Sequence, residues 1–70
     1  MEKLIAENFG CKILERESKI YIQYDNGQAA SWIVENEITI EEAEKAMKCA
    51  ESAYEVILAA EQRRKPIRVK

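Results

Sequence analysis

Two cysteines, Cys11 and Cys49, and two pairs of glutamates, Glu15 with Glu17 and Glu35 with Glu37, are the residues of this 70-residue chain that could do covalent or acid–base chemistry. Each glutamate pair would sit on one face of a strand. Paired acids work as acid and base only when a cleft raises one pKa, and here each pair reads as a solvated strand end. There is no histidine, which removes the usual general base and the Ser–His and Cys–His pairs. Gly10 and Gly27 are too far apart to form a phosphate-cradling loop. Cys49 lies among alanines in a helical pattern, where a thiol behaves as a small apolar side chain. Cys11 has only Lys12 beside it to lower its pKa. Two separated cysteines make no zinc site. The expectation is a protein that is not an enzyme and carries no metal and no cofactor.

The remaining chemistry is ionic. Residues 1–60 carry twelve acids and six bases, whereas residues 61–70 carry five bases, Arg63, Arg64, Lys65, Arg68 and Lys70, against Glu61. The net charge of −2 therefore hides an acidic body and a basic tail, an arrangement that can steer association. The five bases are the candidate anion or nucleic-acid contact. Tyr21 and Ile33, expected on the outer face of the sheet, could add a stacking surface. An overall pI of about 5.2 argues against that function.

The elements that position these residues begin uncertainly. Ile5 and Phe9 are four apart and Gly10 can cap, which predicts a short helix over Met1–Phe9; an irregular lead-in to a strand is the alternative. Cys11–Arg16 alternates weakly. Lys19–Tyr24 is a stronger strand, rich in β-branched and aromatic residues. Glu17-Ser18 offers no left-handed turn residue, so a longer type I connection is expected around Arg16–Lys19. Asp25-Asn26-Gly27 predicts a hairpin. A two-residue Asn-Gly loop would pair Asp25 with Gln28, and a three-residue loop would pair Tyr24 with Gln28. The second is preferred because it gathers Ile20, Ile22, Tyr24, Ala30, Trp32 and Val34 on one face. The third strand then runs from about Gln28 to Glu35.

From Thr39 to about Lys65 the pattern predicts one long helix. Thr39 with Glu42 is a capping box, with Ile38 and Ala43 as its hydrophobic staple. Arg63, Arg64 and Lys65 suit the negative end of its dipole, and Pro66 stops it. Its length would be ~38 Å at 1.5 Å per residue. Two apolar stripes run along it and cover roughly half its circumference, more than the ~100° that one packing partner needs. The bulky side chains Met47, Tyr54 and Ile57, with Leu58, are assigned to the sheet, against Ile20, Ile22, Trp32 and Val34. The small-residue stripe Ala46, Cys49, Ala53, Val56 and Ala60 is assigned to another helix. Pro66–Lys70 would be a free tail or a strand added to an edge.

The fold expected is α+β: a three-stranded antiparallel meander (residues 10–36), the long helix (39–65) and a basic tail (66–70), all one domain. Seventy residues bury only about 60% of the unfolded chain's surface. With two cysteines and no metal ligands, oligomerisation is the expected source of extra stability, and a homodimer is the first form to consider. The longest apolar run, Val56–Ala60, is far short of the roughly 20 residues of a membrane span. Sparse cysteines and the charged start, Glu2, Lys3 and Glu7, suit a reduced cytoplasmic chain. The functional expectation is a small oligomeric binding or regulatory protein that pairs through its helix or takes a helix-binding partner. The alternative is a nucleic-acid-associated accessory protein using the tail.

Overall fold

Pairing between successive strands, rather than helical spacing, organises the first half of the chain. In the computed structural model, which describes residues 2–25 and 33–69, that half forms four strands: β1 (Lys3–Asn8), β2 (Cys11–Arg16), β3 (Lys19–Asp25) and β4 (Ile33–Ile38). Two helices follow, α1 (Ile40–Ala46) and α2 (Ala50–Arg63), and a short strand β5 (Ile67–Arg68). The strands make one antiparallel sheet in the order β1-β2-β3-β4-β5. The architecture is α+β, with five strands and two helices among the described residues in place of three strands and one long helix.

The expected N-terminal helix is strand β1, paired with β2 and irregular between Leu4 and Ala6. Its hairpin turns through Phe9 and Gly10, both at positive φ (52° and 77°). The β2–β3 connection is equally tight: Arg16 pairs with Lys19, and Glu17 and Ser18 are left-handed at φ 53° and 67°. Two successive positive-φ residues are what a type I′ hairpin turn requires, and its backbone twist matches the strands it joins. Strand register therefore overrides side-chain preference at Glu17 and Ser18, and the longer connection is not formed.

The β3–β4 pairing is Asp25 with Ile33 and Tyr24 with Val34, which rules out both the two-residue and the three-residue loop. Residues 26–32, including Trp32, lie outside the described residues. The facing of the sheet nevertheless follows the preferred alternative: Ile20, Ile22, Tyr24 and Val34 share the face covered by the helices. A shift of register by an even number of residues preserves faces.

The single long helix breaks at Met47–Cys49. Thr39 caps α1 through both halves of the capping box, its Oγ1 accepting from Glu42 N at 3.1 Å while Glu42 Oε1 accepts from Thr39 N at 2.9 Å. Cys49 is extended (φ −163°, ψ 167°) and restarts the chain as the N-cap of α2. A straight ~38 Å rod would overrun a molecule whose longest dimension is 30 Å. The break also removes a conflict of phase. On a continuous wheel the buried pair Ala43 and Ala46 would point roughly 80° away from Ala53, Val56 and Ala60. As two helices they meet in one core with Cys11, Ile13, Ile22, Tyr24, Val34 and Ile38.

The helices pack on each other and run in opposite directions. Arg63, in the last turn of α2, donates to both carboxylate oxygens of Glu42, in the first turn of α1, at 2.8 Å each. Lys45 Nζ meets Glu55 at 3.2 Å, across the helix pair rather than along α1. Asn36, 4% exposed on the covered face of β4, donates from Nδ2 to the carbonyl of Arg64 at 2.8 Å. This satisfies one of the orphan acceptors at the end of α2. The tail then returns as β5, with Val34 opposite Arg68 and Glu35 opposite Ile67.

On the outer face the polar groups are joined. Glu35, 8% exposed, accepts from Arg16 Nη1 at 3.1 Å and from Gln23 Nε2 at 3.1 Å, and the Arg16 guanidinium lies 4.9 Å from the centre of the Tyr21 ring. Arg16 holds the Glu35 carboxyl below its ordinary range, against the opposing effect of burial.

Two stability outcomes follow from this packing. Replacing Glu17-Ser18 with Asn-Gly removes the left-handed penalty and stabilises the protein by about 1–2 kcal/mol, read from the urea midpoint at unchanged slope. Ala53→Glu places an unpaired charge where the side chain is 2% exposed and costs about 3–5 kcal/mol. In a domain of this size that appears as lost cooperative unfolding by circular dichroism. A variant that kept wild-type stability would show that Ala53 is not a core residue.

Candidate functional site

A helix face carrying Tyr54, Ile57, Leu58 and Glu61 has the three-four spacing of a stripe that packs on something. In the structure it does so only in part. Ile57 is half-buried against the core, while Tyr54 is 61% and Leu58 41% exposed. Of the bulky row expected on the sheet, Met47 and Ile57 pack against the core, whereas Tyr54 and Leu58 do not. Ala46, Ala53, Val56 and Ala60, expected to meet another molecule's helix, are buried in this chain's own core. Cys49 is exposed at the link between the helices. The physical reason is distance. Alanine lets α1 and α2 approach the sheet and each other closely, so the second helix that the small stripe called for is supplied by the same chain. Met47, like Ile57 and Ile20, packs at the margin of the core, and Ile22 and Val34 are inside it.

The side of α2 left open faces the β1–β2 turn. Phe9, 47% exposed, and Gly10 come from that turn, and Tyr24 and Asp25 from the end of β3. With Cys11 and the four α2 residues they line a cavity of about 350 Å³ among the described residues. A second concavity of about 580 Å³ shares the wall formed by Gly10, Cys11, Tyr24 and Asp25. Beyond the shared wall it is lined by Glu7, Lys12, Gln23, Ile33 and Val69 among others. Along β1, Leu4 and Ile5 are also exposed, at 55% and 40%.

Tyr24 forms the floor of the smaller cavity and is 6% exposed. Its hydroxyl donates to Glu61 Oε2. Burial pushes the phenol well above its ordinary range, and the Glu61 carboxylate, which accepts the proton's hydrogen bond, pushes it further. The Cys11 thiol donates to the carbonyl of Asn8 at 3.3 Å and is raised by burial, which makes it a poor nucleophile. Cys49 is lowered, chiefly by its contact with Ser52. Among the described residues no three histidine, cysteine, aspartate or glutamate side chains are grouped to hold a metal, and no helix is long and apolar enough to cross a membrane.

Within the basic tail, Arg63 and Arg64 line one concavity beside Asn36, Glu37 and Thr39. Arg63 is held by Glu42 and by the carbonyl of Glu37, and Arg64 Nη1 reaches Glu37 at 3.5 Å. Arg68 lies in β5, beyond Lys65, and Lys70 lies outside the described residues. Compared with family models, curated proteins and solved structures, the chain matches none of them. The residues that sequence reasoning missed are Phe9, Gly10 and Glu61. The spacing of Ile5 and Phe9 points to a helix, and Glu61 stands in the sequence as the one acid among the bases of residues 61–70.

Because the folded state resists ionising Tyr24, its contribution to stability is complete below the ordinary phenol pKa near 10 and is lost as pH rises toward and past the folded value. Spectrophotometric titration should show one tyrosine ionising only with alkaline unfolding, and that component should vanish in Tyr24→Phe.

Proposed function

We propose that the protein is a small non-enzymatic binding module that holds a partner polypeptide at the rim formed by Phe9, Tyr54 and Leu58. The observation that carries this is the rim itself: three large apolar side chains, each more than two-fifths exposed, around one cavity. Single exposed apolar residues are ordinary on any surface, whereas several gathered around a concavity mark contact sites. Aromatic side chains are also the type enriched at protein contacts. The non-enzymatic part rests on the lack of histidine in the chain and on the inert setting of Cys11. Two free thiols, one of them exposed, suit a reducing, intracellular compartment. A nucleic-acid partner has less to rest on, because Arg63 and Arg64 are already engaged by carboxylates.

The test is site-specific photo-crosslinking in the native cells. A benzophenone side chain at position 58 should give protein adducts, and the same group at exposed Glu44 on α1 should not. No adduct from position 58, or equal yields from both positions, would overturn the proposal.

A further inference from the structure

The smaller cavity combines rings with negative charge. Phe9, Tyr24 and Tyr54 contribute aromatic surface, Asp25 and Glu61 contribute carboxylates, and no lysine or arginine lines it among the described residues. From this we infer that the cavity takes an organic cation, the guanidinium or ammonium group of a basic side chain on the partner polypeptide; the inference rests on the docking role proposed above.

The chemistry is specific to that class. A cation gains from the negative faces of aromatic rings, and more so where water is partly excluded. The cavity supplies three rings from three different elements, the β1–β2 turn, β3 and α2. Glu61 accepts from the Tyr24 hydroxyl, a neutral donor that brings no positive charge to the carboxylate. The pair therefore fixes a carboxylate at the cavity wall without neutralising it, and a guanidinium could bond it directly. An anionic ligand would meet two like charges there. An uncharged apolar group would take water from the Glu61 carboxylate and offer it no opposite charge in return.

Two features beyond the cavity agree. Residues 1–60 carry twice as many acids as bases, so the body as a whole attracts a basic segment. Phe9 occupies a left-handed position (φ 52°) where glycine or asparagine would be less strained. The chain thus keeps a ring at the cavity mouth at a conformational cost, the kind of local strain that collects at ligand clamps.

The experiment is an amide NMR titration of the intact protein with N-acetyl-arginine amide, and separately with neutral N-acetyl-norleucine amide. The arginine probe should shift Phe9, Gly10, Leu58 and Glu61 saturably, with about tenfold higher affinity than the norleucine probe. Glu61→Gln retains an acceptor for Tyr24 and should weaken the arginine probe about five- to tenfold. Tyr54→Leu keeps apolar bulk at an exposed position, and should weaken the arginine probe while leaving norleucine unchanged. Equal affinity for the two probes would overturn the cation assignment and leave the docking role standing. No shifts from either probe would also overturn it, and the crosslinking yield at position 58 would then decide the docking role by itself.

Discussion

Everything in this molecule depends on covering one face of a five-stranded sheet with very little helix. Seven residues of α1 and fourteen of α2 must shield Cys11, Ile13, Ile22, Tyr24, Val34 and Ile38 from water. Large side chains on the helices would hold them away from the sheet. Ala43, Ala46, Ala53 and Ala60 instead let both helices settle close, with Val56 filling the middle. Close approach leaves no slack in orientation, so the polar ties at the margins matter. Arg63 clasps the start of α1 through Glu42, and Asn36 anchors the end of α2 to β4. Glu42 serves the capping box and the clasp together, and both hold its carboxyl below the ordinary range.

The same economy explains where the surface stays apolar. The helices contact mainly β4 and β3, and the side of the molecule at β1 and its turn has less to cover it. Leu4, Ile5 and Phe9 remain open there, and Tyr54 and Leu58 on α2 look across at the turn. The cavity is the gap between a hairpin turn that must be tight and a helix that packs through its small residues. Its carboxylates come from two elements, Asp25 from the end of β3 and Glu61 from the last turns of α2.

Local signals were legible where one residue type has one strong use. The capping box at Thr39 and Glu42, the strands Cys11–Arg16 and Lys19–Tyr24, and the segregation of Ile20, Ile22, Tyr24 and Val34 to one face could all be read in advance. The turn at Glu17-Ser18 could not, because neither residue favours positive φ and only the pairing of β2 with β3 imposes it. The helix break was equally hidden. Lys48 and Cys49 are neither proline nor glycine, and helix-forming, alanine-rich sequence continues on both sides of them. Of the cavity, Tyr54, Ile57 and Leu58 are legible as an apolar row, of which Ile57 packs against the core and Tyr54 and Leu58 stay exposed.

By itself, then, the sequence determined the strands Cys11–Arg16 and Lys19–Tyr24, the capped helix start at Thr39, and a helical apolar surface too wide for a single partner. Tertiary structure alone decided which stripe faces inward, that the missing helix is the chain's own, and that β1 is a strand. The reason is that burial is a property of packing. Two rows of similar hydropathy differ in how near they let a neighbour come, and only the sheet, once formed, selects the closer one. Tyr54 and Leu58 of the bulkier row are left exposed at the cavity rim, with the Glu61 carboxylate beside them.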